Sequence, residues 1–431
     1  MSAFHEKEDS ESYESENESE ISASDESDVD SEAESERTTG TPMSSDREGS
    51  IASSPGVEFD PSLKIPNTIR FRSQVFDIAF HPTRPLILSG LITGDVYCHS
   101  YLADAAGTVE ASEEYYLRRF HKKSCRGVKF NAEGNHFYTI SKDKTYTICD
   151  AETGKELYRH IDAHESGLNA LLPLTPGFLA TGDEEGVVKI WDIRTNKKCI
   201  EYNEHEDFVA SMVLGTDDKS LISVGGDGYL AVMDTRRKKL IARSDNIEDE
   251  LLSVTLVKDG KKAVVGTQKG VLDLFTWGDW GDLSDRFLGH PESVDAIVKF
   301  DEDTIITGSS DGILRVVGIL PNNLLGVLGH HDDFPIERLA ITNDRHHVAS
   351  CSHDKTIKFW PIHELLGEDS DEDKDEPAAP PKRGAENIQE SKDSDSDDSS
   401  KKSKDPLKEK AKRVKKAAST SVHSASFFDD L

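Results

Sequence analysis

A histidine, a hydroxyl and a carboxylate recur together along this chain, and these groups could serve as base, nucleophile and orienting acid in a hydrolase. His164, Thr181 and Glu185 form one set, with Trp191 close behind. His205, Ser223 and Asp227 form a second, and His290, Thr307 and Asp311 a third. His330, Ser350 and Asp354 with Trp360 form a fourth. A catalytic triad is needed once, whereas sets that return at a fixed interval belong to a repeated unit. Gly308-Ser309-Ser310-Asp311-Gly312 fits G-x-S-x-G. A nucleophile elbow joins strand to helix, however, and this match lies between two strand-like runs. The pair His346-His347 reads as exposed loop rather than metal ligand. No P-loop lysine motif and no H-E-x-x-H occurs. The sequence therefore predicts no catalytic residue, no cofactor and no metal site.

The unit that positions these groups is clearest in LATGDEEGVVKIWDIR, residues 179–194. It reads as strand, Gly/acid turn, strand, with Val188 and Ile190 alternating against Lys189. The turn pair Glu185-Gly186 has counterparts at Thr93-Gly94, Asp143-Lys144, Asp227-Gly228, Lys269-Gly270, Asp311-Gly312 and Asp354-Lys355. From Asp143 onward the steps are 42, 42, 42, 42 and 43 residues; the first step is 50, its excess lying in residues 101–114. One predicted buried column runs Val96, Tyr146, Val188, Leu230, Leu272, Leu314, Ile357. A second runs two residues on, from Cys98 to Phe359. A repeat of this length built of strands alone signals propeller blades. The last repeat stops one strand short, at Trp360. Residues 68–71 carry the alternation to supply that strand and close the ring.

Trp191-Asp192 looks like the dipeptide of WD40 repeats, and Gly289-His290 and Gly329-His330 look like their Gly-His element. FDIAFHPTRPLILSG, LATGDEEG, SDRFLGHPESVD, TGSSDGILRVVGILPN and the terminal FFDDL together resemble the WD repeat-containing protein 55 family, over residues 65–365 and the extreme C-terminus. The resemblance implies an all-β, seven-bladed WD40 propeller that is nucleolar, non-enzymatic and active in ribosomal RNA production and ribosome biogenesis. It also implies that the four histidine sets are structural hydrogen-bond tetrads. Trp191-Asp192-Ile193-Arg194 looks like the W-D-x-R box of substrate receptors of cullin-RING ubiquitin ligases. In that competing reading Trp191, Asp192 and Arg194 would meet the ligase adaptor.

Charge divides the chain into three. Residues 1–60 hold nineteen acidic against three basic residues and almost no large apolar ones, which predicts a disordered Ser-rich tail. Residues 61–363 are the expected propeller. Residues 364–431 are expected to be disordered, first acidic, then basic. Lys401, Lys402, Lys404, Lys408, Lys410, Lys412, Arg413, Lys415 and Lys416 face only Asp405 and Glu409. That imbalance fits a nuclear or nucleolar address, with the cytoplasm a second compartment, or contact with ribosomal RNA phosphates. Phe427 and Phe428 read as a peptide anchor for a partner or a strut on the propeller itself. Two internal basic clusters, His121-Lys122-Lys123 with Arg126 and Lys129, and Arg236 to Lys239, read as RNA contacts or as solvated turns. Five scattered cysteines suit a reducing compartment, and neither a membrane span nor a signal peptide is expected. The expected partners are other proteins, pre-ribosomal or ligase-adaptor, around a monomeric propeller.

Overall fold

Repeats that alternate apolar and polar residues must pair edge to edge and stack face to face, and here they close into a circle. The structure, a computed structural model, describes residues 65–101, 114–174, 177–362 and Leu365. Its 28 strands form seven antiparallel four-stranded sheets. Blade one covers residues 75–119, two 125–160, three 168–203, four 209–243, five 251–288 and six 294–330. Blade seven combines residues 336–361 with Ile69–Arg70. The inner strand of each blade touches the next around the ring, and that of blade seven meets that of blade one. This is a seven-bladed β-propeller, as the period predicts.

Closure follows the sequence expectation. Ile69 pairs with Ile357 and Arg70 with Thr356, antiparallel. The Phe71 N–H adds a bond to the Lys355 carbonyl (2.9 Å). A four-stranded sheet made from both ends of the propeller sequence leaves no gap in the ring.

Apolar burial lies between blades rather than inside any one. Seven hydrophobic clusters each join two adjacent blades. Both columns read from the sequence are buried throughout, Val96 to Ile357 and Cys98 to Phe359. The residues at the Trp191 position, His99, Cys149, Met233, Phe275, Val317 and Trp360, are buried as well. What is kept there is buried volume against the preceding blade.

Two backbone features fit the wedge shape. All seven inner strands carry a register shift at their start, for example between Val75 and Asp77 and between Val294 and Ala296. Such bulges bend a strand and increase its twist. Blades also approach closely at glycine: a Cβ on Gly182 would meet Val209 at 2.7 Å, and one on Gly308 would meet Ile336 at 2.6 Å.

Of the insertion at residues 101–114, residues 102–113 lie outside the described residues, as do residues 1–60, the cationic stretch 401–416 and Phe427-Phe428. No helix among the described residues is long and apolar enough to cross a membrane.

Candidate interaction surface

An antiparallel meander puts its turns at alternating ends. The turn between the second and third strands, and the loop into the next blade, fall on one rim, called upper here. The other turns fall on the lower rim.

At the upper rim the histidines knit loop to turn. In blade three the Trp191 indole N–H donates to Thr181 Oγ1 (2.8 Å). Thr181 Oγ1 lies 2.7 Å from His164 Nε2, and His164 Nδ1 lies 2.8 Å from Asp183 Oδ2. One proton arrangement satisfies the chain: the hydroxyl donates to Nε2, and Nδ1–H donates to the carboxylate. The other Asp183 oxygen accepts the Glu185 and Val187 N–H groups (3.0 and 2.8 Å). Burial opposes the Asp183 charge, but His164 and these turn N–H groups prevail and hold its carboxyl below the usual range. Blade four repeats the pattern with His205, Ser223 (2.7 Å) and Asp227 (3.0 Å). Blade seven does so with His331, Ser350 (2.6 Å) and Asp354 (2.8 Å), and Trp360 donates to Ser350 (2.7 Å).

The structure corrects five sequence assignments. In blade three the carboxylate is Asp183, not Glu185. Glu185 is exposed, and the shorter acid two residues earlier fits between histidine and turn. In blade seven the histidine is His331, not His330. The strand Asn323–His330 carries two register shifts, which move the relay one residue along. His330 instead faces solvent beside Asp332 (3.2 Å). In blade six Asp311 does not reach His290, because the buried Arg315 captures both its oxygens (3.1 and 2.6 Å). His290 keeps Thr307 (2.8 Å), while its Nδ1 has no hydrogen-bond partner among the described residues. His347 is no exposed loop residue but is buried in the strand His347–Ser352. Trp191 is buried against blade two and cannot touch an adaptor.

One relay was missed. His121, grouped above with surface lysines, is buried between Thr139 and Thr145 (2.8 Å each), with Asp143 3.5 Å away. The signal was there: His121 precedes Asp143 by the same 22 residues that separate His205 from Asp227.

A nucleophile must meet substrate. Thr181, Ser223, Thr307 and Ser350 are 0% exposed, and each hydroxyl already bonds its histidine. This geometry braces blades. Among the described residues no cluster could hold a metal ion.

Burial also drives the imidazoles of His99 and His290 from 6.5 down to about 4, and lowers those of His164 and His331. The unfolded chain therefore binds these protons at higher pH than the folded one. Stability is complete above 6.5 and is lost as pH falls toward the folded values. His99 and His290 should each cost about 3 kcal/mol by pH 4. Calorimetry between about pH 7 and 5 should show Tm falling steadily; a flat Tm would mean these rings are not buried neutral.

Further surface features complete the site. The Arg194 guanidinium is bound to both oxygens of its own Asp192 (3.1 Å each) and lies 5.6 Å over the Phe178 ring. Its side chain is still 68% exposed, on the lower rim. The upper rim segregates charge. Loops 203–208 and 243–250 carry Glu204, Glu206, Asp207, Asp245, Glu248, Asp249 and Glu250. The loops around blades one and two carry Arg72, Lys122 and Lys123, with Arg119 ending the strand before the last two. At the lower mouth of the channel Phe80, Phe130, Leu339 and Ile341 help line a cavity of about 380 Å³.

Seven blades, Trp-capped histidine relays and a Trp-Asp strand end define a WD40-repeat β-propeller, a class that generally works as a non-catalytic interaction platform. Within that class the chain belongs to the WDR55 family, whose family model matches residues 66–365. It is 41% identical over 295 residues to WD repeat-containing protein 55 of Arabidopsis thaliana, covering 68% of this chain and 82% of the relative. The Homo sapiens protein of that name is 36% identical over 316 residues, covering 72% and 82%. WD repeat-containing protein JIP5 of Coprinopsis cinerea is 37% identical over 315 residues, covering 70% and 76%.

Proposed function

We propose that the chain is a non-enzymatic binding platform in the nucleolus that supports ribosomal RNA production and processing. The observation that carries the binding reading is the upper rim. The relays of His205 and His121 hold the loops that present Glu204, Glu206 and Asp207 on one side and Lys122 and Lys123 on the other, and the acidic loop 243–250 is tied by its own bonds, Asn246 to the Asp227 carbonyl among them. Rigid loops of opposed charge favour partners by electrostatic complementarity. The compartment and process rest on the family resemblance and on the excess of cations in residues 401–416. Depletion should change precursor ribosomal RNA levels and nucleolar morphology. Normal precursors and normal nucleoli would defeat the reading.

A second reading, substrate receptor of a cullin-RING ligase, is favoured by one observation, the exposed Arg194 held in place by Asp192. Arg194→Ala should abolish co-purification of the ligase adaptor. An adaptor that is never recovered counts against it.

A further inference from the structure

The four consecutive cations Arg236, Arg237, Lys238 and Lys239 sit on the lower-rim turn that follows the third strand of blade four. The turn is held from two sides. Asp234 Oδ1 accepts the N–H groups of Arg236 (2.8 Å) and Arg237 (3.2 Å). From blade three, the Tyr202 hydroxyl lies 2.8 Å from the Asp234 carbonyl and 2.5 Å from that of Arg237, and accepts the Lys239 N–H (3.0 Å). The backbone is thus fixed, while all four side chains are exposed. Among the described residues none of these side chains makes a hydrogen bond or ion pair.

The equivalent lower-rim turn of blade three carries the exposed Arg194, and the exposed Lys197 opens the strand that follows it. Most nearby carboxylates are already engaged: Asp192 by Arg194, Glu201 by Lys198, Asp217 by Ser220 and Asp234 by its own turn, leaving, among the described residues, the exposed Asp218 as a single carboxylate against the four cations. The contrast with the other internal basic cluster is sharp. There Lys129 pairs with Asp77 (2.9 Å), Arg126 stacks on Phe76 (4.7 Å) and His121 is buried, which leaves only Lys122 and Lys123 exposed and unpaired among the described residues of that cluster.

We propose that the lower rim of blades three and four is a docking ledge for the phosphate backbone of RNA. Lys238 lies within the field of Glu201, but the cations outnumber the carboxylates around them, and exposed cations on a fixed turn bind a polyphosphate chiefly by releasing its counterions. The forks of Arg236 and Arg237 match phosphate oxygens bidentately. A protein partner would look for an apolar centre to bury. Among the described residues, Ile241 is the one exposed large apolar side chain in these two blades. Among the described residues no exposed aromatic offers a base a stacking surface there, so binding follows the backbone and tolerates any sequence. The proposal deepens the reading above, sharing its RNA-rich setting but not its test.

The test uses the full-length protein and a labelled single-stranded RNA of about 20 nucleotides, titrated over a range of salt. Arg236→Ala, Arg237→Ala, Lys238→Ala and Lys239→Ala are combined in one variant, whose Tm should match the parent because only solvent-facing atoms are removed. Its affinity near 0.1 M salt should fall at least about tenfold, and its log–log salt slope should flatten by about 3. A second variant neutralises the cations of residues 401–416 and should keep the ledge's share of binding. The proposal is overturned if the combined variant binds with unchanged affinity and slope, or if binding disappears with the second variant alone. It is equally overturned if an acidic peptide of equal charge displaces the RNA completely, which would assign the ledge to a protein segment. A lost ledge with the precursor phenotype intact would leave the platform reading standing.

Discussion

Deleting residues 61–72 is expected to lower the melting temperature by about 10 °C, the larger of the two stability effects. Ile69, 4% exposed, and the partly buried Ile65 and Phe71 pack between blades seven and one. Their loss removes about 1.5–3 kcal/mol per well-buried side chain, with the bonds of Ile69–Arg70 and Phe71 to blade seven in addition. A total on the order of 5 kcal/mol follows. The deletion also bares the outer edge of the strand Thr356–Pro361, so concentration-dependent self-association should accompany it. Thermal melts with light scattering read both effects. A variant that melts with the parent and stays monomeric would show that the ring closes without this strand.

Replacing His164 by alanine should cost about 3–5 kcal/mol, because Asp183, 1% exposed, loses the donor that balances its buried charge. Thr181 loses its acceptor in the same step, leaving Trp191 bonded to an unanchored hydroxyl. His290→Ala makes the comparison internal. His290 has Thr307 but no carboxylate, since Asp311 is held by Arg315. It should cost roughly half as much, mainly as lost packing. Denaturant unfolding at neutral pH measures both. Equal costs would mean that the carboxylate contributes nothing and that volume alone matters.

The relays show how far the sequence reads. His205, Ser223 and Asp227 are legible because blade four departs from the period nowhere along the path between them. Blade three misleads because three acids, Asp183, Glu184 and Glu185, stand in a row, and only the short first one fits between imidazole and turn. Blade seven misleads by a single residue, absorbed in the shifts of the strand Asn323–His330. Blade six misleads because Arg315 competes for the same carboxylate from the neighbouring strand. His121 carried the right spacing but sat among lysines, and its burial is a property of the packed loop.

Local chemistry therefore determined the plan: the 42-residue period, the alternation that buries Val188 and Ile190, and the N-terminal strand that completes the last sheet. Each depends on residues near one another in the chain, or on a pattern that repeats. Tertiary structure decided what depends on distances of an ångström or two between segments far apart. It selected the acid each histidine meets, set Gly182 and Gly308 against the next blade, and put the Arg236–Lys239 turn under a tyrosine of its neighbour. A one-residue slip or a competing charge leaves the periodic pattern almost unchanged, yet it moves a hydrogen bond to a different partner.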